Sequence, residues 1–213
     1  THNTGREERE AAAIMLKGLT AHYLLFRTYK VEAGDTILVY AAAGGVGSLL
    51  CQWAKHLGAQ VIGCVGSDEK AELASLNGCD HTILYNSESI PERVRDITDG
   101  EGVAVAYDSI GRATFNDSLD SLRPFGVLAS YGNASGPVEP FSPAILAPKG
   151  SLYVTRPTLA THIATRDLLE DGVEALFALR RRHALQQHDE LGVFPGRQHR
   201  DQVVGLEHEA DAV

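Results

Sequence analysis

A short apolar run, a turn of small residues, an amphipathic helix and a second apolar run follow one another between Thr36 and Lys70, TILVYAAAGGVGSLLCQWAKHLGAQVIGCVGSDEK. Thr36 to Tyr40 is rich in β-branched residues, as a strand buried on both faces requires. The turn Ala41-Ala42-Ala43-Gly44-Gly45-Val46-Gly47 leaves it. Val46, Leu49, Leu50, Trp53 and Leu57 then share one helical face, and Gly58 supplies the stop. Gln60 to Val65 completes a βαβ unit. Strand, glycine turn, helix and strand in that order make a dinucleotide-binding fingerprint.

The turn has three tasks. It must reverse the chain tightly, bring backbone against a pyrophosphate, and start a helix whose free N–H groups face the anion. The G-x-G-x-x-G pattern is met over Ala42 to Gly47 with Ala at its first position. Gly44 allows close phosphate approach, and Gly47 allows the helix to pack on the strand. Small residues also mark ordinary turns. Placement between a buried strand and an amphipathic helix favours binding.

The end of the second strand bears on which nucleotide. NAD sites carry an Asp or Glu there for the ribose hydroxyls. This chain reads Gly66-Ser67-Asp68-Glu69-Lys70. If Ser67 caps the next helix, Lys70 falls in the first turn, where a cation opposes the helix dipole. An incoming phosphate relieves that conflict. In the plainer reading Asp68 and Glu69 balance Lys70, which is then a solvated surface lysine. Asp68 on the ribose hydroxyls would favour NAD. NADP is preferred because Ser67 stands in place of the strand-end acid.

With 213 residues, 44% hydrophobic and 22% charged, the chain suffices for one large domain or a domain with an appendage. Its formal net charge of −9 speaks against a nucleic-acid footprint and against attraction to an acidic membrane. No apolar stretch is long enough to span a bilayer, and THNTGREERE lacks a signal-peptide pattern, so a cytoplasmic location is expected. Cys51, Cys64 and Cys79 have no zinc-ligand spacing and read as small buried hydrophobes without a disulfide framework.

Read in order, Thr1 to Arg9 is polar, and Glu10 to Tyr29 is helical with a break expected at Gly18. After the second strand, Asp68 to Leu76 reads as helix, His81 to Leu84 as strand and Pro91 to Thr98 as helix. Val103 to Tyr107 is a fourth strand, Ala113 to Leu122 a helix, Phe125 to Tyr131 a fifth strand and Ser151 to Thr155 a sixth. The alternation predicts an α/β fold: a Rossmann-type doubly wound parallel sheet of six strands in order 3-2-1-4-5-6, with helices on both faces. Ligands of such sheets lie beyond the carboxyl ends of the strands. There the chain has Tyr107-Asp108-Ser109-Ile110-Gly111 and Ser130-Tyr131-Gly132-Asn133-Ala134-Ser135-Gly136. Strand-to-helix turns favour such residues anyway; their position beside the glycine turn makes them groove candidates.

Taken together, IMLKGLTAHYLL, GDTILVYAAAGGVG, GSDEKAELA, AYDSIG, SYGNASGPVEP and LYVTRPTLATHIATR resemble the zinc-independent quinone oxidoreductases. These are the zeta-crystallin-like members of the medium-chain dehydrogenase/reductase superfamily. The resemblance runs from about Ala11 to Leu179. It implies NADPH-dependent reduction of a quinone, with hydride leaving the nicotinamide directly and no metal or covalent nucleophile. It places Thr20 and Tyr23 on the nicotinamide side, and Gly44, Gly45 and Val46 at the pyrophosphate. Ser67, Lys70 and Tyr85 surround the 2′-phosphate, and Ser109, Tyr131 and Ser135 lie along the groove. An enoyl or acryloyl thioester reductase, or a cofactor-binding fragment without turnover, are the alternatives on the same scaffold.

The sequence departs from that family twice. Members begin with a GroES-like catalytic domain, whereas this sequence enters near the helix that follows it, so half of the cleft is expected to lie outside it. After Leu179, RRRHALQQHDELGVFPGRQHRDQVVGLEHEADAV does not follow the family pattern. The expected organisation is a lead-in over 1–31, an NADP-binding domain over 32–180 and a non-family tail over 181–213 without order of its own. A shifted reading frame or a truncated gene product would explain such an ending, and comparing the coding DNA with its other frames tests the first. His183, His188, His199 and His208 suit no zinc motif and read as solvated. No catalytic residue is assigned, since hydride transfer asks chiefly for orientation. Tyr23 is the one candidate proton donor, set against simple packing with Leu24 and Leu25. Ser151 to Thr155 is expected at the sheet edge, where two copies would pair as a homodimer.

Overall fold

The computed structural model describes residues 15–181, with side chains over 15–179; the expectations for the polar start and the tail fall outside the described residues. Residues 15–23 form helix α1, which continues into a wider π-helical turn, Leu24–Thr28. There follow β1 (Thr36–Tyr40), α2 (Gly45–His56), β2 (Gln60–Val65), α3 (Asp68–Leu76), β3 (His81–Leu84) and α4 (Ile90–Ile97). The second half is β4 (Val103–Asp108), α5 (Phe115–Ser121), β5 (Leu122–Ser130), β6 (Tyr153–Thr155), α6 (Leu159–His162) and α7 (Arg166–Arg181). All strand pairs are parallel, in the order β3-β2-β1-β4-β5-β6. This is the predicted doubly wound sheet, and its order reverses between β1 and β4.

The alternation of side chains along each strand divides the core in two. Ile37, Val39, Val61, Val65, Val105 and Tyr107 face α1, α2 and α7, where Leu24, Leu25, Leu50, Trp53 and Leu176 meet them. Leu38, Tyr40, Ile62, Cys64, Ile83 and Ala106 face α4 and α5, against Ile90, Val94, Phe115 and Leu119. β1 and β4 are apolar on both sides because both sides are covered. Their runs lack the polar–apolar alternation of a half-wet strand.

Three expectations need correction. Gly18 does not break α1. A Cβ there would lie 2.5 Å from Leu176 Cδ2, so the glycine lets α7 approach the helix. β5 starts at Leu122, not Phe125, and ends at Ser130, which leaves Tyr131 just beyond it. Its register against β4 slips from Val103↔Leu122 to Val105↔Val127, and Phe125 in that bulge has a φ of 62°. β6 is confined to Tyr153–Thr155, because Ser151 has a φ of 56° and cannot continue a strand backwards.

Candidate functional site

The carboxyl ends of β1, β2, β4 and β5 converge on one side of the sheet, and the turns leaving them form the crevice. At β1 the reversal is tight. Ala41 has a φ of 50°, and Gly44 N–H donates to Ala41 O at 2.8 Å. Gly44 is the N-cap of α2 and offers no side-chain cap. The first protein-bound amide of the helix is Ser48, which donates to Gly44 O at 2.8 Å. The amides of Gly45, Val46 and Gly47 have no acceptor among the described residues, as expected of an anion-holding helix start. Gly44 and Gly45 are exposed and Val46 is half-buried. Gly47 has another duty: a Cβ on it would lie 2.2 Å from Ala41 O, so its bareness lets α2 sit against the turn.

At β2 the predicted cap is present. Ser67 Oγ accepts from the Lys70 amide at 3.4 Å, and Asp68 and Glu69 occupy the first turn of α3. No ion pair among the described residues includes Lys70. Tyr85, 48% exposed just after β3, leans over Gly66; a Cβ on Gly66 would lie 2.5 Å from its hydroxyl. Asn86 Nδ2 donates to Gly66 O at 2.9 Å, which fixes this corner. Ser67, Lys70 and Tyr85 thus border one strand end.

The turns after β4 and β5 interlock. Tyr131 N–H donates to Asp108 O at 2.8 Å, Ser135 N–H to Ile110 O at 2.8 Å and Arg112 N–H to Gly136 O at 3.2 Å. Ser135 Oγ donates to Ile110 O at 2.9 Å and accepts from Ala113 N–H at 3.0 Å. Burial pushes the Tyr131 phenol up, against the lowering effect of the Ser109 hydroxyl beside it. The organising group is one that sequence reasoning passed over as turn chemistry. The Asp108 carboxylate is fully buried and accepts from Ile110 N–H, Gly111 N–H, Thr114 Oγ1 and Ser118 Oγ at 2.7–3.2 Å. The only hint was an acid ending an otherwise apolar strand. Ser130 Oγ, paired in register with Asp108, is buried without a partner among the described residues.

α1 supplies the remaining predicted residues. Thr20 Oγ1 donates back to Leu16 O at 2.8 Å, which engages its hydroxyl proton within the helix. Tyr23 is buried and its ring stacks on His162, with centroids 4.4 Å apart and 4° between planes. Burial raises the Tyr23 phenol pKa, while Arg156 lowers it. Burial lowers His162, and Arg27 adds to that. Arg27 Nη1 donates to His162 O at 3.0 Å, tying the π turn to α6. No local pattern announces the Tyr23–His162 pair, which joins residues far apart in the chain. A groove of about 460 Å³ lies beside it, lined by Arg27, Thr28, Thr155, Arg156 and Thr161.

Among the described residues no cluster of three or more His, Cys, Asp or Glu side chains is placed to hold a metal. No described helix is long and apolar enough to cross a membrane. Cys51, Cys64 and Cys79 are free and buried.

The comparisons with known proteins match this architecture. The family model described as "Zinc-binding dehydrogenase" matches residues 45–170. A quinone oxidoreductase of Pseudomonas aeruginosa is 52% identical over 175 residues, which are 82% of this chain and 54% of that protein. A 2-haloacrylate reductase of Burkholderia is 50% identical over 167 residues, 78% of this chain and 50% of that protein. The Escherichia coli quinone oxidoreductase, solved in complex with NADPH, superposes with a TM-score of 0.78 at 47% identity, covering 80% of this chain and 52% of that one. The chain therefore spans about half the length of these relatives. The family match spans more than half of the chain, which therefore belongs to the zinc-binding dehydrogenase family and is similar to quinone oxidoreductases.

Proposed function

We propose that this chain is the NADPH-binding part of an oxidoreductase that passes hydride to a quinone-like acceptor. The observation that carries it is the pairing of two anion-ready places at one end of the sheet: the uncapped start of α2, and the Ser67–Lys70–Tyr85 corner. A dinucleotide with a 2′-phosphate presents its anions at that spacing of features, one strand apart. The residues present fit it, since the amides of Gly45, Val46 and Gly47 have no acceptor among the described residues and start a helix.

When bound, the cofactor supplies a hydride from its nicotinamide ring. The chain's own residues hold and orient it. Gly44, Gly45 and Val46 offer amides to the pyrophosphate, and Lys70 and Ser67 meet the 2′-phosphate with Tyr85 as a wall. Ser109, Tyr131 and Ser135 line the groove, and Thr20 and Tyr23 lie on the nicotinamide side. No residue of the chain is assigned a proton transfer, and no metal is required. The domain responsible is 32–180, with 1–31 as lead-in. A cytoplasmic setting accords with the three free buried thiols.

The test is a thermal melt of the purified chain with excess NADPH or NADH, followed by NADPH oxidation with a simple quinone. Saturation at a hundredfold over Kd adds about 2.7 kcal/mol, a rise of roughly 5–10 °C for a domain this size. A rise with neither nucleotide refutes the reading. A rise with NADPH and no turnover at high protein concentration leaves a cofactor-binding unit that does not catalyse alone. The name of the Burkholderia relative favours a conjugated acid as a second acceptor class, and a panel of quinones against 2-haloacrylates and enoyl thioesters separates the two. Homodimer formation along β6 is supported by the exposed Tyr153 on the outermost strand. Sedimentation at the monomer mass at all concentrations would remove it.

A further inference from the structure

Lys17 sits on α1 within IMLKGLTAHYLL, where the sequence reading assigns it no role, yet its side chain lies across the start of α2. A Cβ built on Gly45 would be 2.6 Å from Lys17 Cε, 2.7 Å from Nζ and 2.9 Å from Cδ. Gly45 has no side chain where this lysine passes. The ammonium is thereby held at the N-terminus of a 12-residue helix, the positive end of its dipole, next to amides without an acceptor among the described residues. The first turn of α2 carries no acid, and no ion pair among the described residues includes Lys17. A cation unpaired at a helix N-terminus is locally repulsive, although the chain as a whole carries a net charge of −9. An anion between the two removes that repulsion.

We propose that Lys17 is a cofactor-binding residue that closes over the pyrophosphate from the α1 side, opposite the amides of α2. The proposal rests on reading the crevice as a dinucleotide site. It divides recognition between two lysines. Lys17 meets the pyrophosphate that NADPH and NADH share. Lys70 meets the 2′-phosphate that only NADPH carries.

The experiment measures Kd for NADPH and for NADH with the whole chain at low salt, for wild type, Lys17→Gln, Lys17→Arg and Lys70→Gln, with a melt of each without nucleotide. Losing a charge-assisted contact to phosphate weakens binding about tenfold. Lys17→Gln is expected to weaken both nucleotides by that factor and leave their ratio unchanged, while Lys17→Arg retains most of the affinity. Lys70→Gln weakens NADPH alone. Without nucleotide, Lys17→Gln melts at or above the wild type, because the charge removed was opposed by the helix. If Lys17→Gln binds both nucleotides as the wild type does, the proposal is overturned and the nucleotide reading stands. Loss of a cooperative melt in Lys17→Gln assigns the lysine to structure and overturns it too. Wild type that binds neither nucleotide overturns both.

Discussion

Gly47→Ala isolates the contact on which the phosphate turn depends. The new Cβ would lie 2.2 Å from Ala41 O, 2.9 Å from Ala41 C and 3.0 Å from Ala42 Cα. All three are backbone atoms, and Ala41 is already in the left-handed region at a φ of 50°, so no rotamer change relieves the clash. Overpacking costs about 1–3 kcal/mol, and a contact this short against backbone belongs at the upper end. Alanine regains roughly 1 kcal/mol over glycine as a helix former. The net loss is about 2 kcal/mol, a fall in Tm of roughly 4–8 °C at this chain length. Gly45→Ala is the matched control. It lies two residues earlier, and its Cβ meets only the far end of Lys17, which swings aside. That variant gains roughly 2–4 °C in Tm from the helix-propensity difference of about 1 kcal/mol, and loses nucleotide affinity. Thermal melts followed by circular dichroism read both. If Gly47→Ala melts with the wild type, or if the two variants lose equally, the close approach of α2 to the turn is not what requires glycine there.

Two more perturbations reach the rest of the site. Asp108→Asn puts amide hydrogens where four donors point, and a buried mismatch of that kind costs about 2–3 kcal/mol; a urea midpoint unchanged from wild type would show that the interlocked turns stand without the carboxylate. His22 is buried beside Phe26 and Trp53, at centroid distances of 5.0 and 5.7 Å. Burial lowers its pKa from the ordinary 6.5, Asp171 works the other way, and Arg27 and His162 reinforce burial. The unfolded chain therefore takes up its proton first. The stability contribution is whole above about pH 6.5 and is lost as pH falls toward the folded value. His22→Phe should reduce the drop in unfolding free energy between about pH 7 and pH 5. Parallel pH profiles for the two proteins would refute the assignment.

The sheet was legible because its local signals agree with one another. β1, β2 and β3 and the helix α3 have the bounds read from sequence, each a run of one periodicity bounded by turn residues within a few positions. The edge was harder. β5 contains the turn residues Pro124 and Gly126, Gly150 and Ser151 lie just before β6, and the start of each strand depends on pairing with a neighbour strand rather than on pattern. Gly18 misled for a related reason. A glycine in a helix reads as a break when seen alone, and as a contact once Leu176 is packed against it.

The amino-acid order by itself determined the strand–turn–helix unit and the Ser67 cap that presents Lys70, because each depends on residues close along the chain, and the alternation of strands with helices implied the sheet order through the handedness of parallel crossovers. Tertiary structure alone decided what stands over the site. Lys17 reaches Gly45 across 28 residues by number, Tyr23 reaches His162 across 139, and Ser135 locks onto Ile110 across 25. Periodicity carries no record of such pairs. They exist only once the two halves of the sheet close beside one another, and the free energy that places them is the burial of apolar faces elsewhere in the chain.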